Sequence, residues 1–142
     1  MISFTSKLKD EATPFLKKIE PALMKYLENY MKKDGADMER EIKQSLSIGV
    51  HQGGGIVRSK PGEPPHLEHG HLMASIASEI KVKKDEVVLN IGAIRGGKEV
   101  NYARGLEQGI PGKMAARPYL MPVAKRYYNQ FKKFFNSRWK FK

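Results

Sequence analysis

Three imidazoles and a carboxylate fall within six residues in His66-Leu67-Glu68-His69-Gly70-His71, a donor set that suits zinc or nickel. The spacing is not the i, i+4 of one helical face, and Gly70 loosens the backbone. Ligands so placed do not converge on one tetrahedral centre, so the expectation is a polar loop and helix cap with no metal. A metal hydrolase would also need a general base and a shaped pocket, and no residue nominates either. Glycine precedes lysine in Gly92-Ala93-Ile94-Arg95-Gly96-Gly97-Lys98 and again in Gly109-Ile110-Pro111-Gly112-Lys113. Glu99 and Met114 follow those lysines, where a phosphate-binding loop places Ser or Thr. Both stretches read as turns. No nucleophile, base and orienting group can be assembled, so no catalytic residue and no cofactor is expected.

The C-terminal segment sets Tyr127, Tyr128, Phe131, Phe134, Phe135, Trp139 and Phe141 among lysines and arginines. Aromatics interleaved with cations could stack on bases and contact phosphates, the signature of a basic nucleic-acid-binding module. Up to Phe135, however, the spacing is that of the core-facing stripe of an amphipathic helix, with the cations on its solvated face. Arg138, Trp139, Lys140, Phe141 and Lys142 lie beyond that stripe, within a basic aromatic tail from about residue 136. Exposed Trp and Phe imply a partner, and a protein partner is the expectation here.

A chain of 142 residues suits one domain spanning its length. There is no cysteine, which excludes disulfides and thiolate metal sites. The first ten residues carry charges where a signal peptide needs its apolar stretch, and no segment approaches the ~20 apolar residues of a membrane span. A soluble chain assembled in a reducing cytoplasm, with no membrane partner, is expected. The net charge of +11 is unevenly placed: 17 basic groups face 15 acidic ones up to Glu107, and nine basic groups and no acidic one follow it. Basicity belongs to the last third of the chain.

These residues must be positioned by a few elements. Thr13-Pro14 is a helix start, because threonine can cap free amides and proline suits the first helical position. Phe15, Ile19, Leu23, Leu27, Tyr30, Met38, Ile42 and Leu46 recur at helical spacing, which predicts one long helix over 14–47, with Gly35 the place where it could bend. Gly53-Gly54-Gly55 reads as a loop, and Ile56-Val57-Arg58 as a short strand. The prolines of 61–65 exclude a helix there. His71 to Ser78 reads as a short helix. Ile80 to Ile91 reads as a β-hairpin with its charged tip at Lys83-Lys84-Asp85-Glu86, ended by Gly96-Gly97. Residues 102–109 suit a single helical turn closed by glycine. A last helix is predicted from about Tyr119, its apolar face carrying Leu120, Val123, Ala124, Tyr127, Phe131, Phe134 and Phe135. The fold class is α+β: a long N-terminal helix and a C-terminal helix packed on a small antiparallel sheet.

Three stretches resemble the tail-completion or head–tail joining proteins of long-tailed bacteriophages, the family named for the tenth gene product of a lambdoid coliphage. Arg58-Ser59-Lys60-Pro61-Gly62-Glu63-Pro64-Pro65 is similar to that family's serine-x-proline-glycine-glutamate-proline-proline segment. Gly70-His71-Leu72-Met73-Ala74-Ser75-Ile76 follows at the family's distance, with His69 where the family has threonine. Tyr102-Ala103-Arg104-Gly105-Leu106-Glu107-Gln108-Gly109 then leads to Ala116-Arg117-Pro118-Tyr119-Leu120-Met121-Pro122. The likeness covers residues 58–122 by motif. It implies a non-enzymatic subunit of a ring, sixfold by tail symmetry, at the virion neck. Such a ring contacts copies of itself, a head-side stopper or connector ring, and a tail terminator or tail-tube protein, while DNA passes through without sequence-specific binding. Gly70, Gly105 and Gly109 would then shape the backbone and Leu72, Ile76, Leu106 and Leu120 fill the core, while Glu107 could pair with Arg117 or Arg104.

Overall fold

Residues 14–46 are rich in good helix formers, and their solvent face carries pairs one turn apart that support a helix. Glu28 accepts from Lys32 at 2.5 Å, Asp37 from Arg40 at 2.7 Å and Glu39 from Lys43 at 2.6 Å, each worth about 0.2–0.5 kcal/mol. The structure, a computed structural model, describes residues 2–7, 14–47, 51–52, 55–56, 58–66, 70–84, 86–94 and 102–138; its side chains are described except for 2–7, 14–19, 51–52, 55–56 and 138. Strand β1 is Ile2–Lys7 and helix α1 is Pro14–Leu46. Two short strands, β2 (His51–Gln52) and β3 (Gly55–Ile56), pair antiparallel. Helix α2 (His71–Ser75) runs directly into β4 (Ile76–Val82), and β5 is Glu86–Ala93. Helix α3 is Ala103–Gln108 and helix α4 is Met121–Arg138.

The main sheet is antiparallel with β5 between β1 and β4. Val87, Leu89 and Ile91 of β5 are buried, and they meet Leu27, Met31, Met38, Ile42 and Leu46 of α1 in one core. Leu72, Ile76, Tyr119, Leu120 and Val123 extend that core to the end where α2 and α3 lie. Helix α4 returns along α1 through aromatic contacts. Tyr30 stacks on Phe134 with ring centroids 5.0 Å apart and meets Phe131 at 5.7 Å. The α+β class, with a long N-terminal helix, a C-terminal helix and an antiparallel sheet, is as the sequence implies.

One expectation holds in detail and three differ. Helix α1 is the one long helix that the spacing predicts, and it runs on through Gly35, which lies where the helix meets the sheet. A Cβ there would come within 2.9 Å of Leu89 Cδ1 and 3.2 Å of Ser78 Cβ. Residues 76–78 continue as strand and not as helix, since β-branched Ile76 pairs with Ala93, and Ser78 with Ile91. Of the strand expected at 56–58 only Ile56 is in β3, which begins at Gly55 of the expected loop and closes a small hairpin with β2; Arg58 is in no strand, and Val57 lies outside the described residues. The hairpin of Ile80 to Ile91 gains a third strand, β1, whose register sets Ile2 against Ile91 and Lys7 against Glu86. The expected turn at Gly96-Gly97 lies outside the described residues.

Candidate functional site

Glu107 sits in α3, and its carboxylate accepts three backbone amides. Oε2 accepts from Tyr119 at 2.9 Å and Leu120 at 3.0 Å, and Oε1 from Met121 at 2.8 Å. Amides at a helix start have no partner within the helix, and a negative charge there also meets the positive end of the helix dipole. A side chain twelve residues upstream of Tyr119 thus caps α4. This corrects the expected ion pair with Arg117 or Arg104. Arg117 Nε donates instead to the Ser59 carbonyl at 3.3 Å, and Arg104 Nε to Gln108 Oε1 at 3.1 Å.

The proline-rich loop is held from both sides. Lys60 N–H donates to Glu63 Oε2 at 3.0 Å, and Glu63 N–H donates back to the Lys60 carbonyl at 3.1 Å. The turn between them passes through Gly62 at φ +86°, where a side chain would be strained. Gly62 N–H then donates to the Ala116 carbonyl at 2.9 Å, and Arg117 N–H to the Leu106 carbonyl at 2.7 Å. Gly109 closes α3 at φ +75°, and a Cβ there would lie 2.9 Å from Ala116 N. Tyr119, only 3% exposed, donates its hydroxyl to the Ala103 carbonyl at 3.3 Å. Burial, reinforced by the nearby Glu107 carboxylate, pushes that phenol well above its usual range. Pro118 precedes the capped amides, and exposed Pro122 falls in the first turn of α4, where no helical donor is lost. Gly70 caps α2 at φ +75°, Ser75 Oγ donates to the Leu72 carbonyl at 2.7 Å, and Leu72 and Ile76 are buried. Pro61 and Glu63 are exposed, Pro64 half-buried and Pro65 buried.

The loop 58–65, tens of residues upstream, therefore meets the 102–109 turn and the lead into α4 in one unit. Between this unit and α2 lies a cleft of about 660 Å³. Its lining combines apolar Leu46, Leu72, Met73 and Leu106 with cationic Arg58, Lys113 and Arg117. His66, His71 and Tyr102 complete the rim, with Ser59 and Pro65 behind.

The chain matches no family model, no curated protein and no solved structure. What it can do is read from its own geometry.

His66 and His71 both reach the cleft, while Glu68 and His69 lie outside the described residues. Among the described residues no group of three or more His, Cys, Asp or Glu side chains is placed to hold a metal, and no helix is long and apolar enough to cross a membrane. The apolar face of α4 packs as the spacing requires: Leu120, Val123 and Ala124 are buried, and Tyr127, Phe131 and Phe135 pack against the core. Its other face exposes Lys125, Arg126, Lys132 and Lys133. Arg126 pairs with Glu41 and lies over the Tyr127 ring, and Lys132 lies over the Tyr128 ring at 5.7 Å. Arg138 ends the helix; Trp139, Lys140, Phe141 and Lys142 lie outside the described residues. Sequence reasoning passed over Ser59 and Lys113 as cleft residues and read Lys113 only as part of a turn. No local spacing marks them, because the cleft is assembled from distant segments.

Proposed function

We propose that the chain is a non-enzymatic subunit of a ring that joins the DNA-filled head of a long-tailed bacteriophage to its tail. The observation that carries this reading is the convergence of the residues that resemble the family. Ser59, Gly62, Leu106, Glu107, Ala116, Arg117 and Tyr119 are tied to one another by backbone and carboxylate hydrogen bonds. Residues that share a motif because they build one rigid corner behave in this way. Their hydrogen-bonding groups go to backbone partners, which suits a shape-determining role more than turnover. In this reading the subunit contacts copies of itself, a head-side stopper or connector ring and a tail terminator or tube protein. DNA passes through the ring, and the virion neck, assembled in the bacterial cytoplasm, is its place.

Native mass spectrometry with electron microscopy of the purified chain tests this, the expected species being a closed ring of about six copies. Removing the gene from its phage should leave filled heads and free tails side by side. Joined, infectious particles without this chain would end the proposal. Truncation after Asn136 asks the same of the aromatic tail: a folded subunit that no longer joins heads to tails is expected.

A second reading has one specific observation in its favour, the exposed lysines of α4 on a stretch with no acidic residue. A phosphate-binding face would lose affinity steeply as salt rises, whereas an apolar ring contact would not. Titrating a single-stranded oligonucleotide at low and physiological salt separates the two.

A further inference from the structure

The cleft between the proline-rich loop, α2 and α3 has a chemistry that the ring proposal does not use. Three cationic side chains, Arg58, Lys113 and Arg117, are in its lining, and no carboxylate is among the described residues of its wall. Arg58 and Lys113 are exposed, and their side chains make no hydrogen bond or ion pair among the described residues, so their charge is available. Behind them, Ser59 is 5% exposed and its hydroxyl has no hydrogen-bond partner among the described residues. The floor is apolar, and Tyr102 stands at the rim 46% exposed. Exposed tyrosine beside arginine and an apolar floor is the composition of an interface anchor.

We propose that this cleft docks an acidic protein segment carrying an apolar anchor. The anchor would sit on Leu72 and Leu106, and its flanking carboxylates would meet Arg58, Lys113 and Arg117. At about 660 Å³ the cleft falls in the range of pockets that enclose short ligands. A nucleic-acid backbone would need cations spread along a surface, as on α4; here they are gathered around an apolar floor. Arg117 Nε is already held by the Ser59 carbonyl at 3.3 Å, which leaves its remaining donors pre-oriented for a carboxylate. The inference stands on the cleft alone and holds whether or not the chain builds a neck ring.

The test uses the full chain and a short fluorescein-labelled peptide with leucines flanked by glutamates, beside the same peptide with glutamines. Saturable binding of the glutamate peptide is expected, with amide NMR shifts at Ser59, Tyr102, Lys113 and Arg117. Arg58→Glu with Lys113→Glu should weaken it about tenfold or more, while Lys132→Glu with Lys133→Glu on α4 should leave it unchanged. Circular dichroism checks the fold, and Arg58→Glu alone decides by the same criterion if the double variant unfolds. Equal binding of the glutamine peptide, shifts elsewhere on the molecule, or an oligonucleotide displacing the peptide from the cleft would each overturn the proposal.

Discussion

A methyl group on Gly35 would sit 2.9 Å from Leu89 Cδ1, so α1 and β5 touch where the glycine has no side chain. Alanine is favoured over glycine in a free helix by about 1 kcal/mol. Here the leucine methyl can shift, but Ser78 Cβ at 3.2 Å belongs to a strand that cannot. Overpacking of this kind costs about 1–3 kcal/mol. Gly35→Ala should therefore lower stability by about 1 kcal/mol net, and Gly35→Val by more, in urea denaturation. A stabilised Gly35→Ala protein would mean that helix and sheet separate easily at this point.

Loss of the Glu107 carboxylate should loosen α4 at its start. Three amides would lose their acceptor, and caps are worth about 0.5–2 kcal/mol. Glu107→Ala should cost about 2 kcal/mol, at the top of that range. Glu107→Gln, which keeps one oxygen, should cost less. Hydrogen exchange of the Tyr119, Leu120 and Met121 amides reads the effect locally. Unchanged protection in Glu107→Ala would show that water caps the helix equally well.

Asp34 is half-buried beside Met31, Met38, Leu89 and Phe131. Burial first and the Asp37 carboxylate second push its carboxyl up from 3.8 to about 6, against the pull of Lys33. The folded chain thus keeps a proton that the unfolded chain releases near pH 4. Stability from this group is present below that pH, falls as pH rises towards about 6, and stays lost above it. Asp34→Asn should stabilise by about 1–2 kcal/mol near pH 8, after allowing for partial solvation, and by nothing near pH 3. Thermal melts across pH check it; an equal gain at both ends would contradict the raised pKa.

The edge of β4 away from β5, which pairs with no strand among the described residues, can be tested apart from the fold. Lys83 N–H donates to the Glu86 carbonyl at 2.8 Å, which fixes the alternation of the antiparallel ladder. Lys81 and Val88 then exchange hydrogen bonds, while Ser78, Ile80 and Val82 turn their amides away from β5. The Ser78 amide already has a partner in Glu39 Oε2 at 3.1 Å. Val88→Pro should unfold the chain, because it removes a bond from the central strand. Val82→Pro, at a side chain 49% exposed, should fold and yet abolish higher-order assembly in native mass spectrometry, if neighbours pair along this edge. Normal assembly of Val82→Pro would take the β4 edge out of the contact.

The helices were legible because their signal is periodic and local: α1 ends one residue from its expected bound, and α4 buries the face its spacing marks. The hairpin was legible from β-branched residues on either side of a charged tip. Strand β1 escaped notice although Ile2 and Phe4 alternate with Ser3 and Thr5. So short a run gains its meaning only from Ile91 and Leu89 opposite it. Glu107 illustrates the same limit at the site. Its role depends on where α4 begins in space, and charge matching by residue type pointed to arginine instead. The cleft was illegible for that reason: Arg58 joins Lys113 and Arg117 only after the chain closes.

Pairing of Ile2 with Ile91 sets an order of events during translation. The β4–β5 hairpin can form as soon as both strands leave the ribosome. The partner strand β1 by then has waited while almost the whole intervening chain was made, roughly 5–20 s at ordinary elongation rates. Until β1 closes on it, that edge of β5 presents unpaired backbone groups, the ordinary template for a strand of another chain.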